Sequence, residues 1–223
     1  MAPPSSHLPK GCPLTLALVA INLLLWLAQG ASGDRLTDLG VLEGPAVQGG
    51  EWWRLASSGF LHADLLHIGF NMFLLYAFGQ QLERAIGSAR FAAIYAAALF
   101  GGALAVVLFD WGQPTLGASG AVMGIAAAFA VALHAQGTDP RRHPVFGLVV
   151  LNLALPLLVP VISFWGHLGG VVGGALAAWL TVWRPLRARV AGRAAPLATS
   201  AGAASAVLLA AAALVAARFG GIG

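Results

Sequence analysis

Charge is scarce in this chain. Only 9% of its 223 residues are Asp, Glu, Lys or Arg, where soluble domains carry about 25%. Hydrophobic residues make up 59%, and mean hydropathy is +0.82. That deficit excludes an ordinary soluble globule and points to a polytopic membrane protein whose core is its own helix bundle. Cysteine is nearly absent too. With Cys12 alone, an internal disulfide and a cysteine-built metal site are both excluded. No His/Asp/Glu cluster has ligand spacing, since His62 and His67 are not one helical turn apart, so no metal or other cofactor is expected. No internal repeat is evident, which counts against an inverted-repeat transporter. The net charge of +4 does not mark a nucleic-acid binder. The arginines flank apolar runs, where they act as topology signals and lipid headgroup contacts.

What the chain does have is seven apolar runs, at 14–29, 65–82, 91–109, 118–135, 145–159, 164–183 and 198–217. They predict an all-α fold. Several fall short of the ~20 residues that cross a bilayer comfortably, so tilt or local thinning is expected for them. The first run, with Lys10 ahead of it and Ala28-Gln29-Gly30-Ala31 at its end, also has the form of a cleavable signal peptide. With the N-terminus inside, nine of the twelve Lys and Arg residues fall on the inner side, and Arg35, Arg54 and Arg218 fall outside. The positive-inside rule therefore predicts a cytoplasmic N-terminus. The segment 30–64 reads as a long outer loop with amphipathic residues suited to the headgroup level, and a loop of that length usually has a job. Residues 184–197 read as a basic linker to an Ala-rich last helix.

The second, fourth and sixth runs point the same way under this topology, and each carries its polar residues near its outer start. Asp64 is a good N-cap, which places His67 in the first turn of the second run and Asn71 one turn deeper. Ser119 opens the fourth run, and His167 lies about one turn into the sixth. At ~1.5 Å per residue these positions share a slab roughly 10 Å deep. A hydroxyl and an imidazole are the minimum for nucleophilic catalysis, and titratable groups at membrane depth usually mark function. His67 and Asn71, spaced i, i+4, present donors without fixed negative charge, as an oxyanion hole requires. Gly117, Gly120 and Gly124 are expected to face Gly166, Gly170 and Gly174, a small-xxx-small ridge that would let the two backbones close up. No carboxylate lies at interior depth on these two runs, so the pair reads as a dyad. The plainer readings stand beside these: Ser119 as a packing residue, His167 as a buried polar side chain, His67 and Asn71 as an interhelical hydrogen-bond pair, and the glycines as packing alone. Asn22 and Asn152 read as interhelical glue, and His7, His134 and His143 as solvated residues.

Taken together, these residues resemble the rhomboid family of intramembrane serine proteases, over about 14–183. Gly117-Ala118-Ser119-Gly120 looks like its Gly-x-Ser-Gly motif, and His167 with Gly170 and Gly174 looks like its His-x-x-Gly pattern. His62-(x4)-His67-(x3)-Asn71, the Trp53-Arg54 pair, and Glu83-Arg84-(x2)-Gly87-(x3)-Phe91 are similar to three further signatures. The resemblance implies a six-helix catalytic core at 14–183 after a cytoplasmic segment 1–13, with one added transmembrane helix and tail at 198–223. It implies Ser119 as nucleophile, His167 as general base, and His67, Asn71 and the Ser119 N–H as oxyanion hole. His62 is expected to organise the outer loop or nearby water, Trp53 and Arg54 to anchor the loop, and Glu83 to bond turn backbone or pair with an Arg. Met123 stands where the family often has an aromatic on the histidine, and a sulfur–ring contact can substitute. Transmembrane segments of other proteins are the implied substrates, the lipid bilayer is the implied surroundings, and a bacterial inner membrane is the implied location. A non-catalytic relative that binds membrane clients is the alternative. No feature fixes an oligomeric state.

Overall fold

In the computed structural model, residues 11–185 are described. The expected last helix at 198–217 and nearly all of the linker 184–197 lie outside them, as does His7. The described chain is helical: α1 Pro13–Ser32, α2 Arg35–Gly40, α3 Gly44–Gln48, α4 Arg54–Ser57, α5 Leu65–Ile86, α6 Ser88–Phe109, α7 Ser119–Ala135, α8 Pro144–Ala154 and α9 Phe164–Ala178, which continues as a π-helical turn to Trp183. No strand forms among the described residues; one isolated bridge joins Leu42 and Thr115. This is an all-α, multi-pass membrane fold. Pro13–Ser32, Ser88–Phe109 and Phe164–Trp183 are long and apolar enough to cross a bilayer, and Arg54–Phe60 with Leu65–Ile86 is a fourth candidate bent by 95°. Ser119–Ala135 and Pro144–Leu157 are apolar but shorter. Leu24 and Leu27 on α1 and Leu66 and Phe73 on α5 point outward, as lipid-facing positions do.

The helix ends follow local chemistry. The Asp64 side chain accepts the His67 N–H at 2.8 Å and starts α5, so capping is its role. Gly87, at φ +86°, makes the tight turn into α6, where a side chain would be strained. His143 is not simply solvated, because its Nδ1 accepts the Val145 N–H at 3.2 Å and caps α8. Asn22 and Asn152 bond first within their own helices, and Asn22 also lies against the Tyr95 hydroxyl of α6. Each donates to the carbonyl four residues back in its own helix, Leu18 at 2.8 Å and Leu148 at 3.0 Å, because that acceptor is always in reach of a short polar side chain.

At the centre, α6, α7 and α9 pack backbone to backbone. A Cβ built on Gly120 would stand 2.9 Å from the Gly166 carbonyl oxygen, and one on Gly124 would stand 2.5 Å from that of Gly170. Gly170 and Gly174 press in return on the Gly120 and Gly124 backbones. The expected glycine ridge therefore exists, and it has a third face. Gly101 and Gly102 of α6 would bring a Cβ to 2.7 Å and 2.8 Å from the Gly169 and Gly166 carbonyls. At the other end of the bundle, Glu83 is 1% exposed. Its carboxylate accepts from the Leu14 and Thr15 N–H groups at 3.0 and 2.7 Å, and from the Thr15 and Ser88 hydroxyls at 2.7 and 2.6 Å. It thus bonds the start of α1 and the start of α6 rather than the turn backbone or an arginine, and it compensates a buried charge with charge-assisted bonds.

The segment 30–64 is not an open loop. It folds into α2, α3, α4 and a 3₁₀ turn, Ser58–Phe60. Arg54 clamps it from within, donating to Glu51 and to the Val41 carbonyl, both at 2.6 Å. Arg54 is consequently buried, whereas Trp53 keeps half its ring exposed and donates to the Leu39 carbonyl at 2.8 Å.

The glycine contacts carry a test of sign. Ala favours a helix over Gly by about 1 kcal/mol, and a Cβ on Gly69 would meet nothing within 4 Å. Gly69→Ala should leave the thermal midpoint in detergent unchanged or raise it. Gly170→Ala should lower it by the equivalent of about 1–3 kcal/mol, the usual cost of overpacking. Equal midpoints for the two variants would show that the close approach of α7 and α9 carries no stability.

Candidate active site

Ser119 is the first residue of α7, and the backbone before it is shaped for that placement. The N–H of Gly117 donates to the Ser58 carbonyl at 2.9 Å, and Leu42 and Thr115 exchange backbone hydrogen bonds at 2.9 Å. The folded 30–64 segment therefore holds the link that delivers the serine. Gly117 has φ +123°, a region that side chains rarely adopt. A Cβ there would also stand 2.6 Å from His67 Nε2, with the Ser119 Oγ at 3.8 Å. Gly117 thus faces His67 on α5 and not α9, unlike Gly120 and Gly124. It is the bare backbone that brings the His67 ring and the Ser119 hydroxyl to one place.

His167 lies in the second turn of α9 and is 4% exposed. Its Nδ1 is 2.9 Å from the Asn152 carbonyl oxygen on α8. A carbonyl can only accept, so Nδ1 carries the proton and Nε2 is left with its lone pair. A backbone carbonyl thus does the orienting that a carboxylate does in a triad. Among the described residues, no hydrogen bond joins the Ser119 hydroxyl to the His167 ring. Catalytic hydrogen bonds are often long without substrate and shorten when it binds. Met123 is buried one turn beyond Ser119.

Asn71, also buried, donates one amide N–H to the His67 carbonyl at 2.9 Å, which leaves its second N–H as a donor. His62 is 2% exposed and sits beneath the site. Its Nε2 accepts the Ala118 N–H at 3.5 Å, its ring meets that of His67 edge-on at 5.0 Å, and its backbone N–H donates to Gln29 Oε1 at 3.0 Å. It lies in the link 61–64, outside the spanning helices. Burial, and after it the neighbouring His67 ring, push its pKa down from 6.5 to about 4. His62 therefore stays neutral and can accept from Ala118.

The structure brings His67 and Ser119 together around Gly117, sets His62 against Ala118 and the His67 ring, and carries His167 on the helix whose glycines pack against α7. The Asn152 carbonyl and the Ser58 carbonyl were not foreseeable from residue identity, since every residue has a carbonyl. The participation of Gln29 had a visible signal, a large polar amide late in the first apolar run.

Comparison with known proteins gives a consistent picture. The family model described as Rhomboid domain matches residues 49–184. The chain is 33% identical over 172 residues to "Rhomboid protease GluP" of Bacillus subtilis, covering 74% of this chain and 34% of that protein. It is 33% identical over 162 residues to "RHOMBOID-like protein 6, mitochondrial" of Arabidopsis thaliana, covering 70% and 52%. It is 30% identical over 214 residues to "Rhomboid protease AarA" of Providencia stuartii, covering 80% and 75%. The chain spans between about a third and a half of the length of the first curated relatives it matches.

A group whose pKa is lowered by folding stabilises the fold fully above its unfolded value, and that contribution is lost as pH falls toward the folded one. For His62 the window runs from 6.5 down to about 4. The thermal midpoint should therefore fall more steeply across that window in wild type than in His62→Gln, whose amide can still accept from Ala118 and does not titrate. Parallel pH curves for the two proteins would remove His62 as the cause.

Proposed function

The chain belongs to the rhomboid family, and on that premise we propose that it is an intramembrane serine endopeptidase with Ser119 as nucleophile and His167 as general base. The observation that carries the reading is the bond from His167 Nδ1 to the Asn152 carbonyl. It leaves Nε2 unprotonated on a helix whose backbone is locked by glycines against the helix that Ser119 begins.

In this mechanism the Ser119 Oγ attacks the scissile carbonyl carbon while its proton passes to His167 Nε2. The peptide π electrons move onto the carbonyl oxygen, and His67, the free N–H of Asn71 and the Ser119 backbone N–H stabilise that oxyanion. Collapse breaks the C–N bond, and His167 returns the proton to the leaving amine. Water, deprotonated by His167, then hydrolyses the acyl-enzyme. Orientation of the imidazolium falls to a neutral carbonyl instead of a carboxylate, and the cost of burying a second charge in the bundle is avoided.

The substrates are transmembrane segments whose ends unwind near the outer face, because helical backbone is shielded from attack. The proposed orientation, with the N-terminus in the cytoplasm of a bacterial inner membrane, rests on the Lys and Arg distribution and on the family. A lateral entrance beside α8 is supported by Pro156 in the 3₁₀ turn Leu155–Leu157, by Pro160, and by the exposed side chains of Leu157, Leu158 and Val161. Trp53 supports the reading of the 30–64 segment as seated at the headgroup level.

Cleavage of a single-span substrate in detergent should be abolished in Ser119→Ala and in His167→Ala. It should fall about 10²–10³-fold in His67→Ala and Asn71→Ala, the usual effect of deleting an oxyanion donor. A fluorophosphonate should label wild type and not Ser119→Ala. Absent labelling with intact client binding would establish the alternative, a non-catalytic client-binding protein. Crosslinking α8 to α5 should slow cleavage, and full activity after crosslinking would eliminate the α8 entrance.

A further inference from the structure

The chain that enters α9 carries a polar link which the mechanism above does not use. Ser163 precedes the helix. Its hydroxyl accepts the Gly166 N–H at 3.1 Å and donates to Asp110 Oδ2 at 2.8 Å. Its carbonyl accepts the His167 N–H at 3.3 Å. Both ends of Ser163 therefore hold the turn from which His167 projects. Asp110 is itself fixed: its N–H donates to the Val106 carbonyl at 2.8 Å, and its carbonyl accepts the Gln113 N–H at 3.0 Å. It ends α6 and begins the link that leads through Gly117 to Ser119. Phe109, next to Asp110, and Trp165, two residues after Ser163, have rings 4.5 Å apart and 30° from parallel. The join between the two segments is thus made twice, once by a charge-assisted hydrogen bond and once by aromatic contact.

We infer that Asp110 and Ser163 are positioning residues for His167. One carboxylate ties the start of the base-bearing helix to the start of the link that delivers the nucleophile. The Asn152 carbonyl sets the rotation of the imidazole, and the Asp110–Ser163 link sets the place of the helix that carries it. A hydroxyl that caps a helix without being held can turn. A hydroxyl that donates to a carboxylate cannot, because that bond is about twice as strong as a neutral one. This inference rests on the reading of Ser119 and His167 as nucleophile and base.

The test is steady-state cleavage of a single-span substrate by the full chain in detergent. A displacement of about 1 Å at a catalytic group can cost ~10²-fold. Asp110→Ala and Ser163→Ala should each lower kcat about ten- to hundredfold, with KM within about twofold. Asp110→Asn keeps an acceptor and Ser163→Thr keeps the hydroxyl cap, so both should recover to within about fivefold of wild type. The double alanine variant should be no worse than the poorer single one, since both break one link. Wild-type kcat in both alanine variants would overturn the inference, and so would equal losses in Ser163→Thr and Ser163→Ala. Hydrogen exchange at the Gly166 and His167 amides is read on the same proteins without reference to cleavage. It should quicken in Asp110→Ala, and unchanged exchange would overturn the link whatever the chemistry proves to be. Cleavage that survives Ser119→Ala would overturn the functional reading alone.

Discussion

The close approach of three helix backbones governs this molecule. Lipid supplies no hydrophobic force between helices, so association rests on van der Waals packing and on polar contacts. Glycines on α6, α7 and α9 remove the side chains that would hold the backbones apart. Gly102, Gly120 and Gly166 meet at one level, with Gly124, Gly170 and Gly174 a turn or more further along. A serine has one short bond with which to reach a partner. It can meet an imidazole on another helix only where the two backbones nearly touch, so the proposed chemistry depends on the packing and not the reverse.

Around that core, several buried polar groups are held by partners that bring little charge of their own. The His167 ring is held by a carbonyl, His62 by an amide N–H and a second imidazole, and Asn71 by its own helix. Charge enters at Arg54, paired with Glu51, at Ser163, which donates to Asp110, and at the buried carboxylate of Glu83, which four donors from two helix starts surround. Glu83 ties α1, α5 and α6 at the end of the bundle away from Ser119. Away from that end and from the glycine faces, α8 and the chain after it turn leucines and prolines outward.

Much of the candidate site was legible in the sequence because its residues are costly where they stand. A histidine in an apolar run, a serine after Gly-Ala and an Asp ahead of an i, i+4 His/Asn pair all stand out against Leu and Ala. Asp64 proved to be the cap its position suggested. Other features gave misleading or silent signals. The 30–64 segment is rich in Gly and poor in long periodicity, so it reads as a loop, yet Arg54 and the Leu42–Thr115 bridge fold it against the rest of the protein. Gly117 reads as part of the helix-packing stripe, yet it faces His67. Gly101 and Gly102 have the composition of any small-residue helix, and their role as a third packing face has no marker in the chain.

The sequence by itself determined the all-α membrane class and the helices whose starts carry Ser119, His67, Asn71 and His167. These are local properties: in lipid each helix satisfies its own backbone, so composition and periodicity suffice to read it. The tertiary structure alone decided that the Asn152 carbonyl holds His167, that the Ser58 carbonyl holds Gly117, and that Asp110 reaches Ser163. Those contacts join residues 15, 59 and 53 positions apart, and the first two use backbone carbonyls that every residue possesses. Which carbonyl meets which donor is set by how the glycine faces seat the helices against one another, and that information is held in the packing as a whole and in no single segment.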